Sequence, residues 1–149
     1  MKTICTFFGH RNTNEIIFND LYDAVKHTIL EDGVTTFYVG GYGSFDGMSA
    51  RAVRQAKKEF EGLELYLVLA YLPTEKDEYI ERNFDGTIYA EGLETVPQRF
   101  AISHRNRWMV QQSDVVIGCI SKSYGGAYTA FHYAENQGKK TINLKENRR

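Results

Sequence analysis

Strand-like and helix-like segments alternate along the whole of this chain, and that alternation constrains its fold more than any other feature. Short apolar or β-branched runs at residues 3–8, 35–39, 63–71, 87–90, 114–120 and 141–144 read as strands. Between the first two, Ile16, Ile17, Leu21, Ala24, Val25, Thr28 and Ile29 recur at helical spacing within residues 14–32, and Gly33 supplies a stop. A second helix, with Asp46 placed to cap it, turns Ala52, Val53, Ala56 and Phe60 inward. Residues 97–113 and 126–137 give two more, the last ended by Gly138. Residues 72–86 are polar, hold Pro73, and read as a loop with one short helix. The run at 63–71 is almost continuously apolar, as in a parallel strand covered on both faces. Such alternation predicts a single α/β domain over residues 1–149: three layers, doubly wound and Rossmann-like, with a mainly parallel sheet of about six strands. Residues 145–149 read as a charged tail.

In an open parallel sheet every strand-to-helix handover lies along one edge, and ligands bind in the crevice there. Three polar stretches fall at such handovers. They are Gly9, His10 and Arg11 after the first strand, the loop at 40–46 after the second, and residues 121–126 before the last helix. Gly40, Gly41 and Gly43, with Ser44 beside them, and Ser123, Gly125 and Gly126 suit a phosphate held by backbone amides at a helix N-terminus. The plainer alternative is a tight turn that needs glycine. The order differs from the dinucleotide fingerprint, because Asp46 stands at its last position and the loop follows strand two. Asp46 fits a plain helix cap as well as a contact to a ribose hydroxyl. Arg11 offers a planar fork for phosphate or carboxylate. His10 is a candidate general acid or base, or a residue that merely bonds the loop.

On the helix at 97–113, Arg105 shares a stripe with Ala101, Ile102, Trp108 and Met109. A buried charge must be paired, so Asp46 or an anionic ligand is expected beside it. Glu91 and Glu94 flank the end of the fourth strand and are the best catalytic carboxylates. No metal-ligand spacing and no serine-nucleophile elbow is present, and no metal or cofactor is expected.

Composition narrows the partners. Lys plus Arg (18) against Asp plus Glu (19) leaves a net charge of −1, unlike a dedicated nucleic-acid binder. Cys5 and Cys119 fall within strands and read as small buried hydrophobes. With no signal-like h-region and no long apolar run, a cytoplasmic location without membrane association is expected.

The motifs together resemble the SLOG superfamily. They are the strand into Gly9-His10-Arg11, the Gly40-Gly41-x-Gly43-x-x-Asp46 loop, the Arg105-Asn106-x-x-Met109-Val110-x-x-Ser113-Asp114 segment, and the Gly125-Gly126 pair opening the last helix. This group of Rossmann-like domains includes the Lonely Guy phosphoribohydrolases, DNA-processing protein A and small stand-alone proteins, to which the likeness is nearest. It implies binding of a nucleotide or nucleotide-derived ligand through the glycine loops, with Arg105 near the ligand. It also implies a homo-oligomer, for which Tyr128, Phe131 and Tyr133 are candidate exposed aromatics. The Lonely Guy motif Pro-Gly-Gly-x-Gly-Thr with a following glutamate is matched only in part. Tyr128 replaces the third glycine and the glutamate is absent. The expected function is therefore a nucleotide sensor, carrier or regulator. The alternatives are a nucleotide N-glycosidase and a single-stranded nucleic-acid binder using Arg99, His104 and Arg107.

Overall fold

The first strand, β1 (Ile4–Gly9), lies in the middle of the sheet because its residues are buried on both faces. Cys5 and Phe7 point into one apolar layer and Phe8 into the other. The computed structural model describes residues 2–144, so the tail at 145–149 lies outside the described residues. β2 (Thr36–Val39), β3 (Glu64–Leu69), β4 (Gly86–Tyr89), β5 (Val115–Cys119) and β6 (Lys140–Asn143) complete a six-stranded sheet in the order β4-β3-β2-β1-β5-β6. Every pairing is parallel. This is the Rossmann-like α/β fold the alternation predicts.

Two pairs of helices cover the sheet. α1 (Phe18–Asp32) packs on α2 (Ser44–Ala56), and the two share one core with Phe7, Phe37, Leu65 and Ile117. α4 (Ala101–Gln112) packs on α5 (Gly126–Asn136) over the opposite face, with Phe8, Val68 and Val116. The short α3 (Glu78–Asn83), capped by the Asp77 side chain, occupies the stretch expected to be mostly loop. Cys5 and Cys119 are both buried.

Three expectations shift in detail. α2 begins at Ser44 with Gly43 at its N-cap, so Asp46 sits in the first turn and its carboxylate accepts from the Tyr42 amide behind it. The helix at 97–113 splits at Ala101 into a 3-10 turn and α4. Phe131 is no exposed aromatic: it is 5% accessible and fills the space above Gly118, where a Cβ would lie 2.5 Å from its ring. Tyr128 and Tyr133 are half-buried against the same layer. All three serve the core on the side turned to the sheet.

The strand order sets where a ligand can enter. The chain lays β1 to β4 outward in one direction, then returns to place β5 on the other side of β1. Connections therefore leave β1 and β5 toward opposite sides, and a crevice opens beyond their carboxyl ends.

Candidate functional site

A pocket of about 280 Å³ occupies that crevice. Gly9, His10 and Arg11 reach it from β1, and Gly40, Tyr42 and Asp46 from the β2–α2 turn. Arg105, Asn106 and Met109 come from α4, and Gly125, Gly126 and Ala127 from the start of α5. The fold thus brings eight of the expected ligand residues together: Gly9, His10, Arg11, Gly40, Asp46, Arg105, Gly125 and Gly126. Gly41, Gly43 and Ser44 support the wall without lining it, and Ser123 faces a separate hollow beside Tyr128 and His132. Glu91 and Glu94 do not line the pocket. Glu91 borders a cleft with Arg107 and Trp108, where its carbonyl meets His104 Nε2 at 2.9 Å.

The two glycine turns share one geometry. Gly43 (φ 89°, ψ 173°) and Gly125 (φ 97°, ψ 168°) are the N-caps of α2 and α5, in a region of backbone space essentially reserved for glycine. Neither helix has a side-chain cap. Their surroundings differ. At α2 the Ser44 amide donates to the Arg11 carbonyl at 2.9 Å, and Ser44 Oγ donates to the Thr13 carbonyl at 2.8 Å. That end is tied to the loop after β1. At α5, the space a Cβ on Gly125 or Gly126 would enter is open. The first amides of a helix have no intrahelical acceptor, so this end offers donors and the positive end of the helix dipole.

Arg105 is 4% accessible, and with Asp46 in the same pocket its hydrogen bonds go instead to backbone carbonyls and a neighbouring amide. Nη1 donates to the Gly40 carbonyl at 2.8 Å and to the Val68 carbonyl at 3.4 Å. Nε and Nη2 donate to Asn106 Oδ1 at 3.2 and 2.8 Å. The guanidinium thus bonds carbonyls at the ends of β2 and β3. Gly40 leaves the room for it, since a Cβ there would meet Nη2 at 2.9 Å. Burial lowers the Arg105 pKa, and the charge of Asp46 opposes that shift. Burial pushes the Asp46 carboxyl up to about 6, against the pull of the Tyr42 amide and of Arg105. The Tyr42 ring covers the guanidinium at 5.2 Å.

Asn106 is the residue that sequence reasoning passed over. It stood in the quoted Arg105 segment without a role. Here it is 8% accessible, lines the pocket, and has its Oδ1 engaged by Arg105, which turns the amide nitrogen to other acceptors. Its position next to a buried arginine was the available signal.

The sheet order β4-β3-β2-β1-β5-β6 with helices on both faces is a Rossmann-like α/β fold, the fold class implied by the resemblance. Among solved structures, the chain is similar to DNA processing protein A from Streptococcus pneumoniae, at 16% identity and a TM-score of 0.68. It is also similar to the Helicobacter pylori DNA processing protein A, described for its single-stranded DNA binding mode, at 14% and 0.63. A third is the molybdenum cofactor binding protein of Rippkaea orientalis, at 22% and 0.62. The matches cover 94%, 93% and 96% of this chain but 49%, 63% and 76% of those proteins, so the chain spans about half the length of the first. No protein-family model matches the chain. No curated protein matches it. Among the described residues, no helix is long and apolar enough to cross a membrane.

Proposed function

We propose that this chain binds a phosphate-bearing nucleotide or nucleotide-derived molecule in the switch-point pocket, as a sensor, carrier or regulator. The observation that carries this reading is the uncapped start of α5 opening into the same pocket as Arg11 and the buried Arg105. Helix amides and a cation converging on one space suit an anion. Asn106 and Asp46 add a donor and an acceptor for hydroxyl or heterocycle atoms. A protein similar in fold, from Rippkaea orientalis, is a molybdenum cofactor binding protein.

The glycosidase alternative has less support, because Asp46 is the one carboxylate among the lining residues. Single-stranded nucleic acid remains the second reading. The exposed rings of Tyr42, which lines the crevice, and of Tyr124, next in sequence to Gly125, at 43% and 67%, offer stacking surfaces. The Helicobacter pylori protein is described as binding single-stranded DNA.

The test is a thermal-shift panel of AMP, ADP-ribose, NAD, cyclic nucleotides and a short oligonucleotide, with chromatography of any hit. A nucleotide is expected to raise Tm by mass action and to be recovered intact. Gly126→Asp, which sets a carboxylate at the first position of α5, is expected to fold normally and to lose that shift. Stabilisation by the oligonucleotide alone would overturn the reading in favour of nucleic acid. Recovery of free base would establish the glycosidase instead.

A further inference from the structure

The Ser121 and Lys122 amides, on the loop between β5 and α5, both donate to His10 Nε2 at 3.2 Å. His10 directly follows β1, so these bonds tie the two switch-point strands together just ahead of α5. A ring nitrogen that accepts two N–H donors must keep its lone pair. The imidazole is therefore neutral, with its hydrogen on Nδ1. The backbone of His10 is held as well, because the Thr13 amide and Oγ1 donate to its carbonyl at 3.2 and 2.6 Å.

From this geometry, and resting on the anion-binding reading above, we infer that neutral His10 is a positioning residue. It latches the loop at 121–126 in the shape that presents the α5 N-terminus to the pocket, and acidification releases it. Protonation sets a hydrogen on Nε2 against two N–H groups, so both bonds are lost in one step.

Several charged or titratable groups surround the ring. Lys122 on the latched loop disfavours a positive charge on the ring, while Arg11, next in sequence, and Arg105 line the same pocket as His10. Asp46, in the first turn of α2, is the carboxylate facing the same pocket. Cys119 at the end of β5 lines a second hollow that His10 also borders, and burial raises its thiol pKa, which keeps it neutral. Burial, and then Lys122, hold His10 below the ordinary histidine range. The latch is closed at neutral pH.

The sign of the pH dependence separates this role from direct contact. A histidine touching the anion tightens binding when it gains a proton. A latch weakens it.

The first measurement uses ligand-free, isotope-labelled protein titrated by NMR from pH 8 to 5. The Ser121 and Lys122 amides are expected to shift with the same midpoint as the His10 ring nitrogens and to lose protection from hydrogen exchange. Amides that ignore the ring overturn the inference. The second uses ADP-ribose, whose phosphates keep a constant charge over this range. Asp46 in the same pocket loses its charge around pH 6 and by itself favours an anion in acid. The readout is therefore the affinity relative to His10→Gln, and on that ratio wild type is expected to lose roughly tenfold per pH unit below the His10 midpoint, following the neutral fraction. His10→Gln, which places an uncharged acceptor near Nε2, is expected to bind with no such loss. A ratio of wild-type to His10→Gln affinity that is flat or rises in acid overturns the latch. If ADP-ribose binds at no pH, the ligand reading fails, and the amide titration alone decides the latch.

Discussion

At the scale of the residue, Arg105 shows how a buried charge is kept. Its stripe position on α4 demanded a partner, and the chain supplies two strand-end carbonyls and a neighbouring amide instead of an ion pair. Arg105→Ala is therefore expected to destabilise the fold by roughly 2–4 kcal/mol, because it strands the Gly40 carbonyl and removes the cation that favours the charged Asp46. Urea unfolding checks this, and Arg105→Lys should recover little, lacking the forked donors. It follows that Arg105 is a poor residue with which to probe ligand binding. Asp46 gives a pH signature of the opposite sign to His10. Its pKa rises from 3.8 to about 6 on folding, so the folded state holds the proton more tightly. That contribution is fully present below pH 3.8 and is lost as pH rises through about 6. The urea midpoint of wild type relative to Asp46→Asn should fall between pH 4 and 7, by roughly 2–3 kcal/mol in stability. His10, lowered on folding, favours the neutral form, and its contribution is lost as pH falls below the usual histidine value.

At the scale of the element, the proposed site rests on helix starts. The α2 and α5 starts look alike in sequence, and their cap glycines have nearly the same dihedral angles. What separates them is whether the chain itself occupies the N-terminus. A Cβ on Gly43 would come within 2.9 Å of the Arg11 Cα, whereas a Cβ on Gly125 would meet open space. Gly43→Ala is accordingly expected to cost roughly 3 kcal/mol or more, strain plus collision, and Gly125→Ala roughly 1–2 kcal/mol, strain alone. Thermal unfolding of the two variants side by side measures the difference. Equal losses would mean that the Arg11 contact relaxes freely.

For the whole molecule, sheet order does the work. The insertion of β5 next to β1 places residues 10 and 121 in contact, 111 positions apart. It also carries α4 and α5 to one face, so that Arg105 reaches Gly40 across 65 positions. The same order leaves Glu91 and Glu94, beyond the edge strand β4, outside the crevice. They fit the expectation of a site at the carboxyl edge, yet that edge is several strands wide and the pocket takes in the middle of it.

The sequence by itself determined the layers and the edge. Period-2 and period-3.6 patterning are local properties, and alternating segments that each bury one face leave few arrangements besides a covered parallel sheet. Glycine at the handovers was legible for the same reason, since backbone geometry is set within a few residues. Tertiary structure alone decided which glycine turn stays open, what Arg105 holds, and that His10 turns its lone pair to the loop before α5. Each of these depends on contacts between residues distant in the chain. Such contacts exist only once the strands have taken their order, so no local pattern could record them.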